Sequence, residues 1–154
     1  MSYVSNSAEL NADFENIMDK AVNYVIDKIL EEYKKDIDAI IYGAGTPIVY
    51  QRTYEFKDSW KSEVKNVTRG AKGNIYQDYN VMTYNPSLGQ HGTDKKDLRK
   101  KLATILFEGV DNKDTWYNQP RDAWTPLIEM LDGGKIDQWF QEAMRLQGLK
   151  VSKM

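Results

Sequence analysis

Residues 9–34, ELNADFENIMDKAVNYVIDKILEEYK, carry the pattern that decides the fold. Apolar residues recur there at steps of three and four, which is the spacing of one face of an α-helix. That face consists of Leu10, Phe14, Ile17, Ala21, Val25 and Ile29. Its flanks add Met18, Val22, Ile26 and Tyr33. The sequence therefore predicts a long helix whose wide apolar face packs on a sheet or on several elements, and the turn residues from Gly43 to Pro47 end it.

The composition limits what the chain is built to do. Its 154 residues leave room for one domain, so we expect a single domain over residues 1–154. The chain has no cysteine and one histidine, which excludes disulfide scaffolds, iron–sulfur clusters and a cysteine nucleophile. The net charge of -2 lacks the basic excess of nucleic-acid-binding proteins, so we expect no direct binding of nucleic acid. No apolar run is long enough for a membrane span, and the first basic residue is Lys20, so we expect neither a membrane partner nor a secretory signal.

A β-hairpin is predicted over residues 62–82. Small and apolar residues alternate there with charged and polar residues, and Gly70–Asn74 supplies residues typical of turns. A helix is the alternative for the first strand, because apolar residues are also spaced four, four and three apart. These residues are Phe56, Trp60, Val64 and Val67. We prefer the strand.

The second half of the sequence alternates loops with short helices. Residues 84–94 are uncharged until Asp94 and contain Pro and Gly, which predicts a long ordered loop. Helices follow at the ranges 95–108, 123–131 and 136–146, with a second loop at 111–121. Gly109 and Gly148 stand where a helix ends in a left-handed residue, and 149–153 is a candidate strand.

These elements predict the α+β class: a long N-terminal helix packed on a small antiparallel sheet, with additional C-terminal helices.

No cofactor, metal or catalytic site emerges from the residues. Gly43–Pro47 is followed by Ile48 where the dinucleotide-binding fingerprint requires glycine, so it reads as a turn. His91 is the only histidine, and no other residues stand at the spacing that would complete a metal site around it. A catalytic pair with a serine is also not indicated, because no serine lies in the G-x-S-x-G pattern of a nucleophile elbow. The carboxylates lie mostly on predicted solvated helix faces. An acid–base pair is the remaining enzymatic alternative, and it would require a deep pocket with acids at its base.

Aromatic residues in the predicted loops are the main candidates for function. The chain has 10 Tyr and 4 Trp, and aromatics with a polar tip are favoured at protein interfaces. The alternative is that they close the core beneath the loops. The candidate interface residues are Tyr84, Asn85, His91, Trp116 and Tyr117.

Residues 50–60, YQRTYEFKDSW, resemble a known family signature. The pattern Y-x-R-T-x-x-(apolar)-x-x-S is similar to that of the tail-completion, or head-tail joining, proteins of long-tailed bacteriophages and prophages. These are also called minor capsid or neck proteins. In that family a long N-terminal helix precedes the signature, and a hairpin, a Tyr-containing loop and a helix follow it, which matches residues 9–108. The signature residues are Tyr50, Arg52, Thr53, Ser59 and Trp60.

The resemblance implies a structural protein of the neck or tail end of a virion. It would join head and tail through contacts with other neck or tail proteins, as a homo-oligomeric ring and without catalysis. It would lie in the cytoplasm of the host bacterium during assembly and then in the virion. Within the signature, Arg52 would bind a carboxylate or carbonyls, Thr53 would cap a turn and Trp60 would fill the junction of helix and sheet. The alternative function is a small regulatory binder or inhibitor of a host protein.

Overall fold

The computed structural model describes residues 7–43, 54–82, 99–109 and 120–152. The predicted α+β class is confirmed, with a long N-terminal helix, a two-stranded antiparallel sheet and C-terminal helices. The elements are α1 (Ser7–Asp36), α2 (Glu55–Asp58), β1 (Trp60–Val67), β2 (Gly70–Gln77), α3 (Leu102–Glu108), α4 (Trp124–Met130) and α5 (Ile136–Leu146). Within the described residues, no helix is both long and apolar enough to cross a membrane.

Helix α1 is longer than the predicted 9–34. It has 30 residues and continues in a π-helical turn over Ile37–Tyr42, just before the predicted stop at Gly43. A Cβ on Gly43 would lie 2.3 Å from the Ala39 carbonyl oxygen, which explains the glycine. Buried residues follow one another every fourth position: Ala21, Val25, Ile29, Tyr33, Ile37 and Ile41. Leu10 and Phe14, predicted on this apolar face, are exposed instead.

The predicted hairpin is confirmed, but its turn lies elsewhere. A two-residue turn, Thr68 and Arg69, joins the strands, and Arg69 takes the left-handed conformation at φ 60°. The predicted turn Gly70–Asn74 lies inside β2. Gly73 serves close packing there, since a Cβ would be 3.0 Å from Cδ1 of Ile26 on α1. The hairpin also ends earlier than predicted, at Gln77, because residues 79–81 form a 3₁₀ turn.

The region of the helical alternative contains both structures. Phe56 lies on the short helix α2, and the chain turns extended from Trp60 onward. The preference for a strand therefore holds for residues 60–67.

The C-terminal helices lie close to the predicted ranges. Helix α3 follows a 3₁₀ turn at Arg99–Lys101, and the first residues of its predicted range, 95–98, lie outside the described residues. Gly109 takes φ 75°, as predicted. Helices α4 and α5 match the predictions, and Gly134, at φ 91°, breaks the helical path between them.

Helix α5 ends in the predicted left-handed glycine. Gly148 has φ 79°, its N–H donates to the Arg145 carbonyl at 2.9 Å, and the Leu149 N–H donates to the Met144 carbonyl at 3.1 Å. This pair of hydrogen bonds is the Schellman motif. The predicted strand at 149–153 is wrong for its described part, 149–152, where no strand forms. One reason is that the Leu149 N–H is already used by the cap.

The described residues form two compact units. Among the described residues, the first unit consists of 7–31, 62–76 and 129–152, and the second of 32–43, 54–61, 77–82, 99–109 and 120–128. In the first unit the hairpin packs on α1 through Gly73 and Ile26, and Ser62 donates to Asp27 at 3.3 Å. The organisation of residues 1–154 as a single domain stays a prediction.

Candidate protein interface

An aromatic cluster lies in the second unit. It consists of Tyr33, Phe56, Trp60, Phe107 and Trp124. The Tyr33 ring meets Trp60 and Trp124 edge to face, at centroid distances of 4.9 and 5.2 Å. Trp60 stacks with Trp124 at 6.5 Å, and Phe56 lies 6.2 Å from Trp60 and 6.3 Å from Phe107. The cluster therefore connects α1, α2, β1, α3 and α4.

The cluster runs from the buried interior of the unit to the surface. Tyr33 is fully buried, whereas Trp124 is 41% exposed. The Tyr33 hydroxyl and the Trp60 Nε1 are buried and lack a hydrogen-bond partner in the described part of the chain. Burial raises the pKa of Tyr33, and the carboxylates of Asp122 and Asp36 raise it further. Tyr33 therefore remains a neutral phenol at physiological pH.

Asp122 fixes the start of α4 and with it the exposed Trp124. Its carboxylate accepts hydrogen bonds from the N–H groups of Trp124, at 2.8 Å, and Thr125, at 3.1 Å, as an N-cap does. The Thr125 hydroxyl also donates to it. This hydroxyl hydrogen bond is the main cause that lowers the pKa of Asp122, with help from the two amides. The cap therefore stays charged and keeps the backbone of Trp124 in place.

Ser59 joins α2 to the hairpin. It is fully buried, and its hydroxyl donates to the Phe56 carbonyl at 2.7 Å and accepts from Gln77 Nε2 at 3.1 Å. Its backbone N–H donates to the Glu55 carbonyl at 2.8 Å, and its carbonyl accepts from the Asp78 N–H at 2.7 Å. These hydrogen bonds fix the position of Trp60, the next residue, in the aromatic cluster.

A second aromatic contact joins Tyr42 to Tyr54, with ring centroids 4.7 Å apart. Lys57 Nζ lies 5.1 Å from the centroid of the Tyr54 ring and 2.9 Å from an Asp38 carboxylate oxygen. The Lys57 N–H donates to the Tyr42 hydroxyl at 3.3 Å. Burial raises the pKa of Tyr42 to about 12, although the Lys57 amide acts in the opposite direction.

Tyr54 combines exposure with a strained backbone. It is 44% exposed and has φ 58°, in the left-handed region that non-glycine residues rarely adopt. Such conformations cost free energy and occur often at binding sites. The Tyr42 and Lys57 contacts hold its ring in place despite this exposure.

In the second unit, residues on the two sides of three chain segments contact each other. Arg99 Nη1 donates to the Met82 carbonyl at 3.2 Å, across the segment 83–98. The Arg121 N–H donates to the Leu106 carbonyl at 2.8 Å, across the segment 110–119. The contact between Tyr42 and Tyr54 spans the segment 44–53. The chain therefore leaves and re-enters this unit at closely spaced points on either side of each segment.

Most of the predicted site residues belong to these three segments. Outside the described residues lie Tyr50, Arg52, Thr53, Tyr84, Asn85, His91, Trp116 and Tyr117. Their roles stay predictions. Ser59 and Trp60 lie at the junction of α2 and β1. Trp60 is a member of the aromatic cluster, and the Ser59 hydroxyl donates to the Phe56 carbonyl.

The sequence did not single out Tyr42, Tyr54 or Trp124. A helix start capped by an aspartate is indicated by the sequence Asp122-Ala123-Trp124-Thr125. This sequence does not indicate that the Trp124 side chain is exposed. No sequence signal announces a left-handed tyrosine at position 54. Within the described part of the chain, no group of three or more His, Cys, Asp or Glu is placed to hold a metal ion.

Comparison with known protein families finds a match over most of the chain. The model of a family described as YomN matches residues 6–146, which extend from the start of α1 to the end of α5. No curated protein matches the chain, and no solved structure matches it.

Proposed function

The chain belongs to the YomN family, whose name derives from a Bacillus phage or prophage, and from this phage association we propose that it joins head and tail of a virion. It acts at the neck or tail end, as a structural protein without catalysis. Its partners are other neck or tail proteins, and copies of the chain form a ring on assembly. It resides in the cytoplasm of the host bacterium during assembly and afterwards in the virion.

The observation that supports this proposal is that the residues flanking the segments 44–53, 83–98 and 110–119 contact each other across each segment. The segments 83–98 and 110–119 contain the candidate interface residues, and both start and end in the second unit. Phe56 and Phe107, which contact each other, lie close in sequence to the ends of two segments. A fixed base reduces the conformational entropy that a binding segment loses when it meets a partner. The arrangement supports a role in which the segments contact neighbouring proteins.

Exposed, pre-oriented aromatic rings support the same role. Trp124 is held by Tyr33 and Trp60, and Tyr54 is held by Tyr42 and Lys57. Tryptophan and tyrosine are enriched among the residues that contribute most to protein binding. Because contacts inside the unit already fix these two rings, they lose little rotamer freedom when a partner covers them.

Particle assembly tests the proposal. The double substitution Tyr84→Ala plus His91→Ala removes two candidate contacts from the segment 83–98. In cells that produce the phage, we expect separate heads and tails to accumulate in electron micrographs, because the joining surface is lost. Tyr76→Ala, which removes a 44% exposed tyrosine from β2, is the matched control and should leave joining intact. Normal tail attachment in the double variant would count against the role of this segment.

A further inference from the structure

The β-hairpin has one face on α1 and the other toward solvent. Gly73 of β2 packs on Ile26 of α1, and side chains alternate between the two faces of a strand. Asn74 therefore lies on the solvent face, which we call the hairpin face. Its amide donates to the Glu63 carboxylate at 3.4 Å across the strands. This hydrogen bond and the two-residue turn at 68–69 indicate the register, in which residue 63 pairs with residue 74.

Two lysines oppose each other on the hairpin face. The same register pairs Lys65 with Lys72, and both side chains are exposed. Like charges directly opposite each other on one face of a sheet destabilise the pairing of the strands. Lys65 Nζ lies 3.1 Å from the Glu63 carboxylate, whereas the described part of the chain places no carboxylate within ion-pair distance of Lys72. The hairpin therefore gains no stability from this lysine pair.

The turn and the start of β1 add two further cations. Arg69 is exposed and takes φ 60°, a left-handed conformation that glycine or asparagine adopts more readily in a two-residue turn. Strained residues of this kind occur often at binding sites. Among the described residues, no carboxylate forms an ion pair with Arg69 either. Lys61 lies on the hairpin face as well, because it stands four positions before Lys65 in the same strand.

The charge of the hairpin differs in sign from that of the whole chain. Residues 60–77 contain four basic side chains and one acidic side chain, whereas the chain has a net charge of -2. The acid is Glu63, whose carboxylate is already held by Lys65 and Asn74. The net charge led to the expectation that the chain does not bind nucleic acid, but it does not reveal a local concentration of cations. The hairpin face is therefore suited to an anionic partner.

The composition of the hairpin face differs from that of a protein interface. Lysine is depleted in protein interfaces, which centre on buried aromatic or apolar residues. The middle of the hairpin face, between Lys61 and the lysine pair, is formed by the polar side chains of Glu63 and Asn74. Lysine and arginine are instead usual contacts to phosphates, and the major groove of DNA admits a two-stranded β-ribbon. The major groove of an RNA helix is too narrow for side chains to read, so double-stranded DNA matches this face best.

We propose that the hairpin binds the phosphate backbone of double-stranded DNA, without reading its sequence, through Lys61, Lys65, Arg69 and Lys72. Each of the four cations contacts a phosphate, and the planar guanidinium of Arg69 donates two parallel hydrogen bonds to one of them. So few phosphate contacts give weak binding that depends strongly on salt. The binding is independent of the proposed joining of head and tail, because it requires only this chain and free DNA.

Fluorescence anisotropy of a labelled DNA duplex of about 20 base pairs, titrated with the purified full-length chain, tests the binding. Four phosphate contacts predict that the logarithm of the association constant falls with the logarithm of the salt concentration at a slope of about -3 to -4. Lys65→Gln plus Lys72→Gln should bring this slope about 2 closer to zero and lower the affinity about tenfold or more at low salt.

A matched control changes the net charge by the same amount outside the hairpin. Lys20→Gln plus Lys150→Gln removes two exposed lysines from α1 and from the C-terminal residues. We expect this variant to keep the salt slope of the natural chain, because neither lysine contacts DNA in the proposed binding. Circular dichroism checks that both double variants are folded.

Competition experiments separate DNA from other anionic partners. Polyglutamate and an RNA duplex should displace the labelled DNA less well than unlabelled DNA at the same charge concentration. Equal or better displacement by polyglutamate would indicate an acidic protein partner and overturn the proposal. The absence of binding at low salt would also overturn it, as would a natural salt slope in the Lys65 and Lys72 double variant. In that last case the lysines would serve only to keep the strand edges from pairing with other chains.

Discussion

Ser59 is a small polar residue in a fully buried position, where its backbone and hydroxyl together make four hydrogen bonds. It ends α2, starts the hairpin and precedes Trp60 of the aromatic cluster. A larger side chain would not fit a position without exposed surface, and an apolar side chain would leave Gln77 and the Phe56 carbonyl without their partner. The position therefore requires both the size and the hydroxyl of serine.

We expect Ser59→Ala to lower the free energy of unfolding by about 1–2 kcal/mol, because a partly buried amide and a buried carbonyl lose their hydrogen bond. Urea denaturation measures the change. Ser62→Ala is the matched control, since its hydroxyl makes an exposed hydrogen bond to Asp27, and it should change the free energy by less than about 0.5 kcal/mol. If the two substitutions lowered the free energy of unfolding equally, the burial of the Ser59 hydrogen bonds would not contribute to stability, and this expectation would be wrong.

Among the elements, the hairpin depends on one glycine. At Gly73 an added Cβ would lie 3.0 Å from Cδ1, 3.1 Å from Cγ1 and 3.3 Å from Cβ of Ile26. The Cδ1 atom can rotate away, but the Cβ atom is fixed to α1. An added Cβ at this position therefore requires Ile26 to move by a few tenths of an ångström.

Gly73→Ala should lower the free energy of unfolding by about 1–3 kcal/mol, the range for overpacking. Gly133→Ala is the matched control, because it has no atom within 4 Å of the added Cβ and no positive φ. This control should stabilise the protein by about 0.4–1 kcal/mol through the unfolded chain. Thermal or urea unfolding gives both values. A stabilising Gly73→Ala would contradict the packing of β2 on α1.

The elements also show what sequence patterns could predict. Helical periodicity located α1 and α5, and the glycines at 109 and 148 marked helix ends, because these signals depend on neighbouring residues in the chain. The hairpin turn was misplaced because glycine marks both turns and close packing, and only the position of Ile26 separates the two. The exposure of Leu10 and Phe14 was also missed, since a pattern does not tell where the covering element ends.

The candidate interface was predictable only in part. Aromatic content directed attention to tyrosines and tryptophans, but not to Tyr54 or Trp124. Their exposure depends on how separate segments pack, through Tyr42 and Lys57 for one and through Tyr33 and Trp60 for the other. Distances of this kind arise only in the folded chain.

At the scale of the whole molecule, the family match covers the chain from α1 to α5 and associates it with phages. The aromatic cluster and the tied segment ends of the second unit support a role in protein contacts. The proposed function and its alternative differ in the partner that they require. The first requires neck or tail proteins of the virion, and the second requires a single protein of the host.

Mass spectrometry of purified phage particles tests the proposed role most directly. Cells that produce the phage are lysed, tailed particles are purified on a density gradient, and the chain is quantified in the particles and in the soluble fraction. We predict that the chain remains with tailed particles through purification, because it is part of the joint. Particles that lack the chain, while the soluble chain co-purifies with one host protein, would contradict this role and establish a regulatory binder instead.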